Sequence, residues 1–380
     1  MGNKPKLIRA CTVSDSIGFV EGMVPDLAKK YELCVLASPG EHWAVLDRYG
    51  DAVRRIEVPM ERHISPLRDL RSLWRLIKVF RHERPDIVHS MTPKAGLLCM
   101  MAAWICRVPV RLHTFTGLVF PTATGMTQKI LIFTDRITCA CATHIIPEGE
   151  GVKRDLTNYR ITRKPLRVLG HGNVRGIDLK HFDLTPELMA EAEKIRRSDT
   201  FTFIAIGRVV GDKGINELVA AFSRLHKELP DTRLILVGPQ EKNLDPLSPE
   251  TIAEIESNPA IEAVGPQRDV RPWFAAANCA VLASYREGFP NVVIEAGAMG
   301  LPQIVTDING ANEIIIDGQN GIIVPPRSAS ALHAAMHRMA TDPALRHTLA
   351  ANARPLIASR YEQSYVRQCL YDFYKEILHK

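Results

Sequence analysis

The stretch VLASYREGFPNVVIEAGAMGLPQIVTD, residues 281–307, decides how this 380-residue chain is read. Cys279 to Ala283 is an unbroken apolar run that predicts a buried strand. Ser284 to Pro290 reads as a loop, and Asn291 to Met299 as a helix by its spacing and small residues. Strand, loop and helix in that order make one turn of a parallel α/β sheet. Glu287 stands in the loop and Glu295 eight positions later inside the helix, so two carboxylates can meet one ligand from two depths. Between them, Gly288-Phe289-Pro290-Asn291 leads a flexible backbone into a helix N-terminus, where unpaired N–H groups and the dipole favour an anion. The combination points to a phosphorylated, hydroxyl-rich ligand.

Upstream, Thr202 to Ile206 predicts a strand and Asn216 to Leu229 a helix, joined by Gly207-Arg-Val-Val-Gly-Asp-Lys-Gly214. Arg208 and Lys213 are two cations on a glycine-rich strand-to-helix loop, a device that brings backbone N–H groups and positive charge to phosphate oxygens. Gln267 and Arg268 follow a further short strand, Glu262 to Gly265.

The N-terminal half repeats the pattern. Strands are expected at Lys6–Val13, Tyr31–Ala37, Asp86–Ser90, Pro109–His113, Thr143–Pro147 and Pro165–Leu169. Ligands of open parallel sheets bind at the carboxyl ends of strands, so Gly18, Lys94 and His113 could line one edge. Thr92 reads as an N-cap and Pro93 as a first helical residue. Lys94 in that first turn opposes the helix dipole, which makes sense beside an anion. His113 suits equally a working and a packed, hydrogen-bonded histidine. The polar run His171–Asp178 reads as a domain connection.

The formal charge of +6 is concentrated: residues 54–84 hold nine Lys/Arg against four Asp/Glu. Ile64 to His82 predicts an amphipathic helix with Leu70, Leu73, Trp74, Ile77 and Phe80 on one stripe and Arg68, Arg71, Arg75 and Lys78 beside it. Two readings stay open, a solvated face and a surface for anionic lipid headgroups. Few aromatics interleave with the basic residues, which argues against nucleic acid as a partner. The eight cysteines show no CxxC pair and read as reduced core thiols of a cytoplasmic protein. The longest apolar run, Ala95 to Cys106, is too short to span a bilayer. The charged start MGNKPK precedes a strand-like run rather than a signal-peptide core. A soluble or surface-bound protein is expected.

Gly207-Arg208…Lys213-Gly214, Val237-Gly238, Glu287-Gly-Phe-Pro-Asn291 with Glu295, and Gly300-Leu-Pro302 together resemble the retaining GT-B glycosyltransferases of family 4, over essentially the whole chain. The segments around Arg62, Thr92-Pro-Lys-Ala-Gly96 and His113-Thr-Phe-Thr-Gly117 are similar to bacterial capsule, O-antigen and N-glycan enzymes, N-acetylgalactosaminyltransferases among them, that extend a sugar on undecaprenyl diphosphate. The resemblance implies an α/β GT-B fold of two Rossmann-like domains facing across a cleft. Residues 1–175 would bind the acceptor and 176–360 the nucleotide-sugar, with 361–380 a helix crossing back to the first domain.

It further implies a role for each matched residue. Arg208 and Lys213 would hold the donor diphosphate, assisted by the backbone of Gly288, Phe289, Pro290 and Asn291. Glu295 would hold ribose, Glu287 the transferred sugar, and Gln267 and Arg268 the base. His113 and Glu287 would stand at the reacting centre. Gly18, Arg62, Arg68, Thr92 and Lys94 are the acceptor candidates, although Ser16-Ile17-Gly18 replaces the double glycine of many relatives. No metal and no cofactor is expected. The resemblance implies a nucleotide-sugar donor, UDP-linked before GDP-linked, a polyprenyl-diphosphate-linked saccharide as acceptor, and a place on the inner face of the cell membrane, peripherally bound. A GT-B epimerase, or a transferase with a soluble acceptor, is the alternative.

Overall fold

The computed structural model describes residues 4–61, 65–241 and 245–378. The chain divides into two compact units, Met1–Arg175 with Ser364–Lys380, and Gly176–Gln363. Each is built on one six-stranded sheet whose paired strands are all parallel.

In the first unit the strands are β1 (Lys6–Ala10), β2 (Glu32–Ala37), β3 (Arg54–Glu57), β4 (Ile87–Met91), β5 (Val110–Phe115) and β6 (His144–Pro147), in the order β3-β2-β1-β4-β5-β6. β4 is buried at every position and β1 at all but its first, as strands covered by helices on both faces must be. Ala10 pairs with Leu36 on one side and Ser90 on the other, which aligns the carboxyl ends of the three central strands. The helix Gln363–Leu378 belongs here from Ser364 onward. It buries Leu370, Phe373, Tyr374 and Ile377 against Leu7, Leu27 and Tyr31, each side chain contributing about 1.5–3 kcal/mol. Tyr374 also receives a hydrogen bond from the buried Arg9 at 2.8 Å.

In the second unit they are β7 (Phe201–Ile206), β8 (Thr232–Val237), β9 (Ile261–Gly265), β10 (Cys279–Leu282), β11 (Gln303–Thr306) and β12 (Gly321–Val324), in the order β12-β11-β10-β7-β8-β9. Counted from its own first strand this is the same doubly wound order as in the first unit. Such an order reverses direction once, between β1 and β4 and again between β7 and β10. A crevice opens there beyond the carboxyl ends, because the following helices go to opposite faces. Four loops therefore carry the positions best placed for ligands: residues 11–18 and 92–94 in one unit, 207–214 and 283–291 in the other.

The expected strand Pro165–Leu169 is not formed. Leu166 makes only a single bridge with Ile145, on the outer side of the edge strand β6. β3 is an edge strand with three of four residues exposed, so it lacks the apolar run that marks the others.

Candidate active site

In the second unit the turn after β7 is locked against the end of β10. Gly214 has φ +67°, and a Cβ there would overlap the Ala283 carbonyl. A Cβ on Gly238 would likewise overlap the Gly207 carbonyl. Glycine is required at both places because backbone meets backbone. This close approach brings together residues 74 positions apart: the Lys213 ammonium pairs with the Glu287 carboxylate. The Ser284 hydroxyl donates to the same Glu287 oxygen at 2.9 Å, and Ser284 is itself fixed by the Thr306 hydroxyl donating to its carbonyl at 2.6 Å. Arg208 pairs with Glu241 at 3.0 Å and stands 3.6 Å from Asp212, an ion pair without a hydrogen bond. Gly207, Arg208, Lys213, Ala283 and Ser284 line one open crevice.

The loop beyond it is anchored by Phe289, buried edge-on against Tyr361 with ring centroids 5.6 Å apart. Gly310 (φ +75°) lets a second loop pass against Gly288, Phe289 and Pro290. Pro290 is the N-cap of the helix Asn291–Ala298, and Glu295 lies half-buried within that helix. Glu287 and Glu295 thus sit at the loop mouth and inside the helix, at two depths. Gln267 and Arg268 follow β9, two strands from β7. Gln267 donates to the Val264 carbonyl at 3.0 Å, and Arg268 is exposed.

The first unit handles its candidates differently. Thr92 occupies the N-cap position of Pro93–Ile105, at φ +69°, a rare conformation for a β-branched residue. Its hydroxyl does not cap the helix. It bonds Thr12 at 2.8 Å, and the Thr12 hydroxyl accepts from the Ala95 N–H instead, so the cap comes from the loop after β1. The anion beside Lys94 is internal: Asp69 meets it at 2.7 Å. His113 is buried, with Nδ1 2.9 Å from the Ser90 hydroxyl and the ring filling the space beside Gly96, where a Cβ would collide with it. Burial pushes its pKa down to about 3 and keeps it neutral. This is the geometry of a packed histidine, with no surface to offer a ligand. Gly18 is exposed, has helical φ of −54°, and has open space around a would-be Cβ, so nothing there demands glycine. Arg68 pairs with Glu61, and Arg62 lies outside the described residues.

The basic helix runs from Pro66 to Glu83, and its inward face is Ser72, Leu76 and Phe80. Leu70 and Trp74, members of the expected apolar stripe, are 65% and 56% exposed. They share the outer face with Leu67, Arg68, Arg71, Arg75 and Lys78, whose ammonium lies 3.4 Å from the Trp74 ring centre.

Two family models match the chain, a glycosyl transferase 4-like domain over residues 19–172 and glycosyl transferases group 1 over 200–342. A Staphylococcus aureus capsular polysaccharide biosynthesis glycosyltransferase, CapM, is 30% identical over 375 residues, 98% of this chain and 97% of that protein. The chain belongs to the group 1 glycosyltransferases. An Escherichia coli UDP-Gal:alpha-D-GlcNAc-diphosphoundecaprenol alpha-1,3-galactosyltransferase is 26% identical over 84% of this glycosyltransferase and 83% of its own length. The fold matches that of Anabaena Alr3699/HepE, solved with UDP and glucose, at a TM-score of 0.80 and 16% identity over 98% and 99% of the chains. The expected GT-B class of two α/β units is therefore correct.

Sequence reasoning missed the partners that set the electrostatics of this glycosyltransferase. Ser284 was legible as Ser-x-x-Glu, the spacing of a loop hydroxyl that folds back on Glu287. Asp69 stood among arginines and gave no sign that it faces Lys94. Glu241 lies 33 positions from Arg208 and becomes its neighbour only because β7 and β8 pair.

Proposed function

We propose that this glycosyltransferase moves a hexose or N-acetylhexosamine from a UDP-linked donor to a saccharide carried on a polyprenyl diphosphate, with retention, in surface polysaccharide biosynthesis. The observation that carries the donor half is the Arg208–Lys213–Glu287 cluster at the switch point of the second unit. Negative charge grows on the departing diphosphate, and fixed cations and N–H dipoles placed there stabilise the transition state more than the ground state. Arg208 and Lys213 supply those cations, with no metal required of the protein. The backbone of Gly288 to Asn291 adds N–H donors, Glu295 holds the ribose hydroxyls, and Gln267 and Arg268 meet the base. Glu287, once released from Lys213, holds the transferred sugar. The leaving phosphate takes the proton of the incoming hydroxyl on the same face of the sugar.

Gly18, Thr92, Lys94, Arg62 and Arg68 stay the acceptor candidates, with His113 as a positioning residue behind them. The lipid-linked acceptor follows the printed activity of the Escherichia coli relative, and the polysaccharide role that of the Staphylococcus aureus one. No helix among the described residues is long and apolar enough to cross a membrane. We assign membrane contact, peripheral and on the cytoplasmic face, to the exposed Leu67, Leu70 and Trp74 among four cations. Incubating the purified protein with UDP-sugars and a bacterial lipid extract tests the whole reading. Release of UDP dependent on the lipid is expected, and no turnover with any donor contradicts it.

A further inference from the structure

The first unit contains a cavity of about 140 Å³ that the donor chemistry does not use. Leu97, Leu118, Phe120, Ile130 and Leu131 form apolar walls, and the Lys94–Asp69 pair closes part of the lining. Two features say what kind of molecule fits.

The first is continuity. Ile130 is both a wall of the cavity and 41% exposed. On the same helix, Gly125–Cys141, Met126 and Phe133 are 69% and 64% exposed at helical spacing from it. The cavity therefore opens onto an apolar stripe rather than onto polar surface. Across the helix Pro93–Ile105, the basic helix presents Arg68 and Arg71 outward beside Leu67 and Leu70. Positive charge at one side and an apolar track at the other complement a molecule with an anionic head and a long apolar tail.

The second is Asp135. Its carboxyl lines the cavity and makes no hydrogen bond or ion pair among the described residues. Burial raises its pKa to about 7. A hydroxyl-rich or cationic occupant would favour the carboxylate, whereas an apolar occupant favours the neutral acid.

We infer that this cavity takes the first isoprene units of a prenyl diphosphate, with Lys94 and the arginines of Pro66–Glu83 meeting its phosphates. The inference rests on the proposed lipid-linked acceptor and gives that acceptor's tail a site inside the protein. It makes recognition depend on the chain next to the diphosphate and on more than adhesion to a bilayer.

Titration of the full-length protein with farnesyl diphosphate, inorganic pyrophosphate and farnesol, below the aggregation range of the lipids, tests this. Farnesyl diphosphate should bind at least 10-fold more tightly than either control. Leu97→Trp, which fills the cavity, and Ile130→Asp, which charges its exposed mouth without burying more volume, should each weaken it at least 10-fold. UDP binding, carried by the other unit, should stay within twofold and certifies folding. The pH profile adds a readout that shape alone does not give. Besides Asp135, the charged or titratable groups there are Lys94 and Asp69 on neighbouring helices and Cys139 one turn along. Wild-type affinity should fall more steeply from pH 6 to pH 8 than that of Asp135→Asn. Equal affinity for farnesol or pyrophosphate, indifference to both variants, or identical pH profiles would overturn the inference. Loss of UDP binding in the wild type would instead sink the donor reading alone.

Discussion

At the switch point of the second unit, a glycine-locked turn holds two cations against carboxylates in an open crevice. At the same point of the first unit, the glycine is dispensable, the lysine is tied to Asp69, and the nearby histidine is sealed inside. The same strand order thus carries opposite chemistry. Lys213 and Arg208 are charge-balanced by Glu287, Glu241 and Asp212, groups a diphosphate can displace because each pair is partly open to solvent. The first unit turns apolar and basic surface outward and leaves an apolar hollow beneath it. In the proposed function, one unit takes the small, multiply charged, hydroxylated donor and the other the lipid.

The largest effect that could break this contrast is on the cations. Lys213→Ala or Arg208→Ala should each lower transfer by roughly 10²–10³-fold, the usual cost of one charged transition-state contact. Lys94→Ala should leave UDP binding unchanged. Steady-state UDP release and calorimetric UDP titration would read both, and a Lys213→Ala enzyme with normal turnover would dissolve the contrast. Next comes the outer face. Arg71→Gln with Arg75→Gln should weaken binding to vesicles of anionic lipid by roughly 30-fold, at ~1 kcal/mol per charge, while UDP binding persists. Equal flotation with neutral and anionic vesicles would return that helix to an ordinary solvated face.

The two glycine loops separate more modestly. Gly214→Ala must relieve both positive φ and an overlap with Ala283, so a loss of about 1–3 kcal/mol in urea unfolding is expected. Gly18→Ala should change stability by less than about 0.5 kcal/mol. Equal effects would mean the turns are equally constrained. The remaining signal is pH. Burial holds His113 neutral with a folded pKa of about 3, below its unfolded value, so it stabilises the fold above pH ~6.5, a contribution lost as pH falls from there toward 3. The slope is at most about 1.4 kcal/mol per pH unit for that one proton, and His113→Asn should flatten it. An unchanged slope would place His113 in contact with solvent.

What the sequence made legible follows from locality. The strand, loop and helix around Glu287 are contiguous, so apolar runs and glycines sufficed to place them to within a residue or two. Two α/β halves followed because both repeat that unit, and the GT-B class followed from the resemblance of the motifs around Arg208, Lys213, Glu287 and Glu295. Long-range pairings were invisible. Thr12 caps the helix at Thr92 from 80 residues away, and Lys94 finds Asp69 on another helix. The basic helix and its apolar stripe were legible, but not which members of the stripe pack inward: tertiary packing buries Ser72, Leu76 and Phe80 and leaves Leu70 and Trp74 outside. β3 escaped because an exposed edge strand needs no apolar run.

The central claim is that the second unit divides the donor, with Lys213 on its diphosphate and Glu287 on its sugar. Because the two side chains pair with each other, removing Glu287 frees Lys213. Calorimetric UDP titration and UDP-sugar turnover of Glu287→Ala test this together. The account predicts UDP affinity equal to or tighter than wild type, with transfer reduced by roughly 10²-fold or more. Lost UDP binding with normal transfer by the fraction that binds would contradict it.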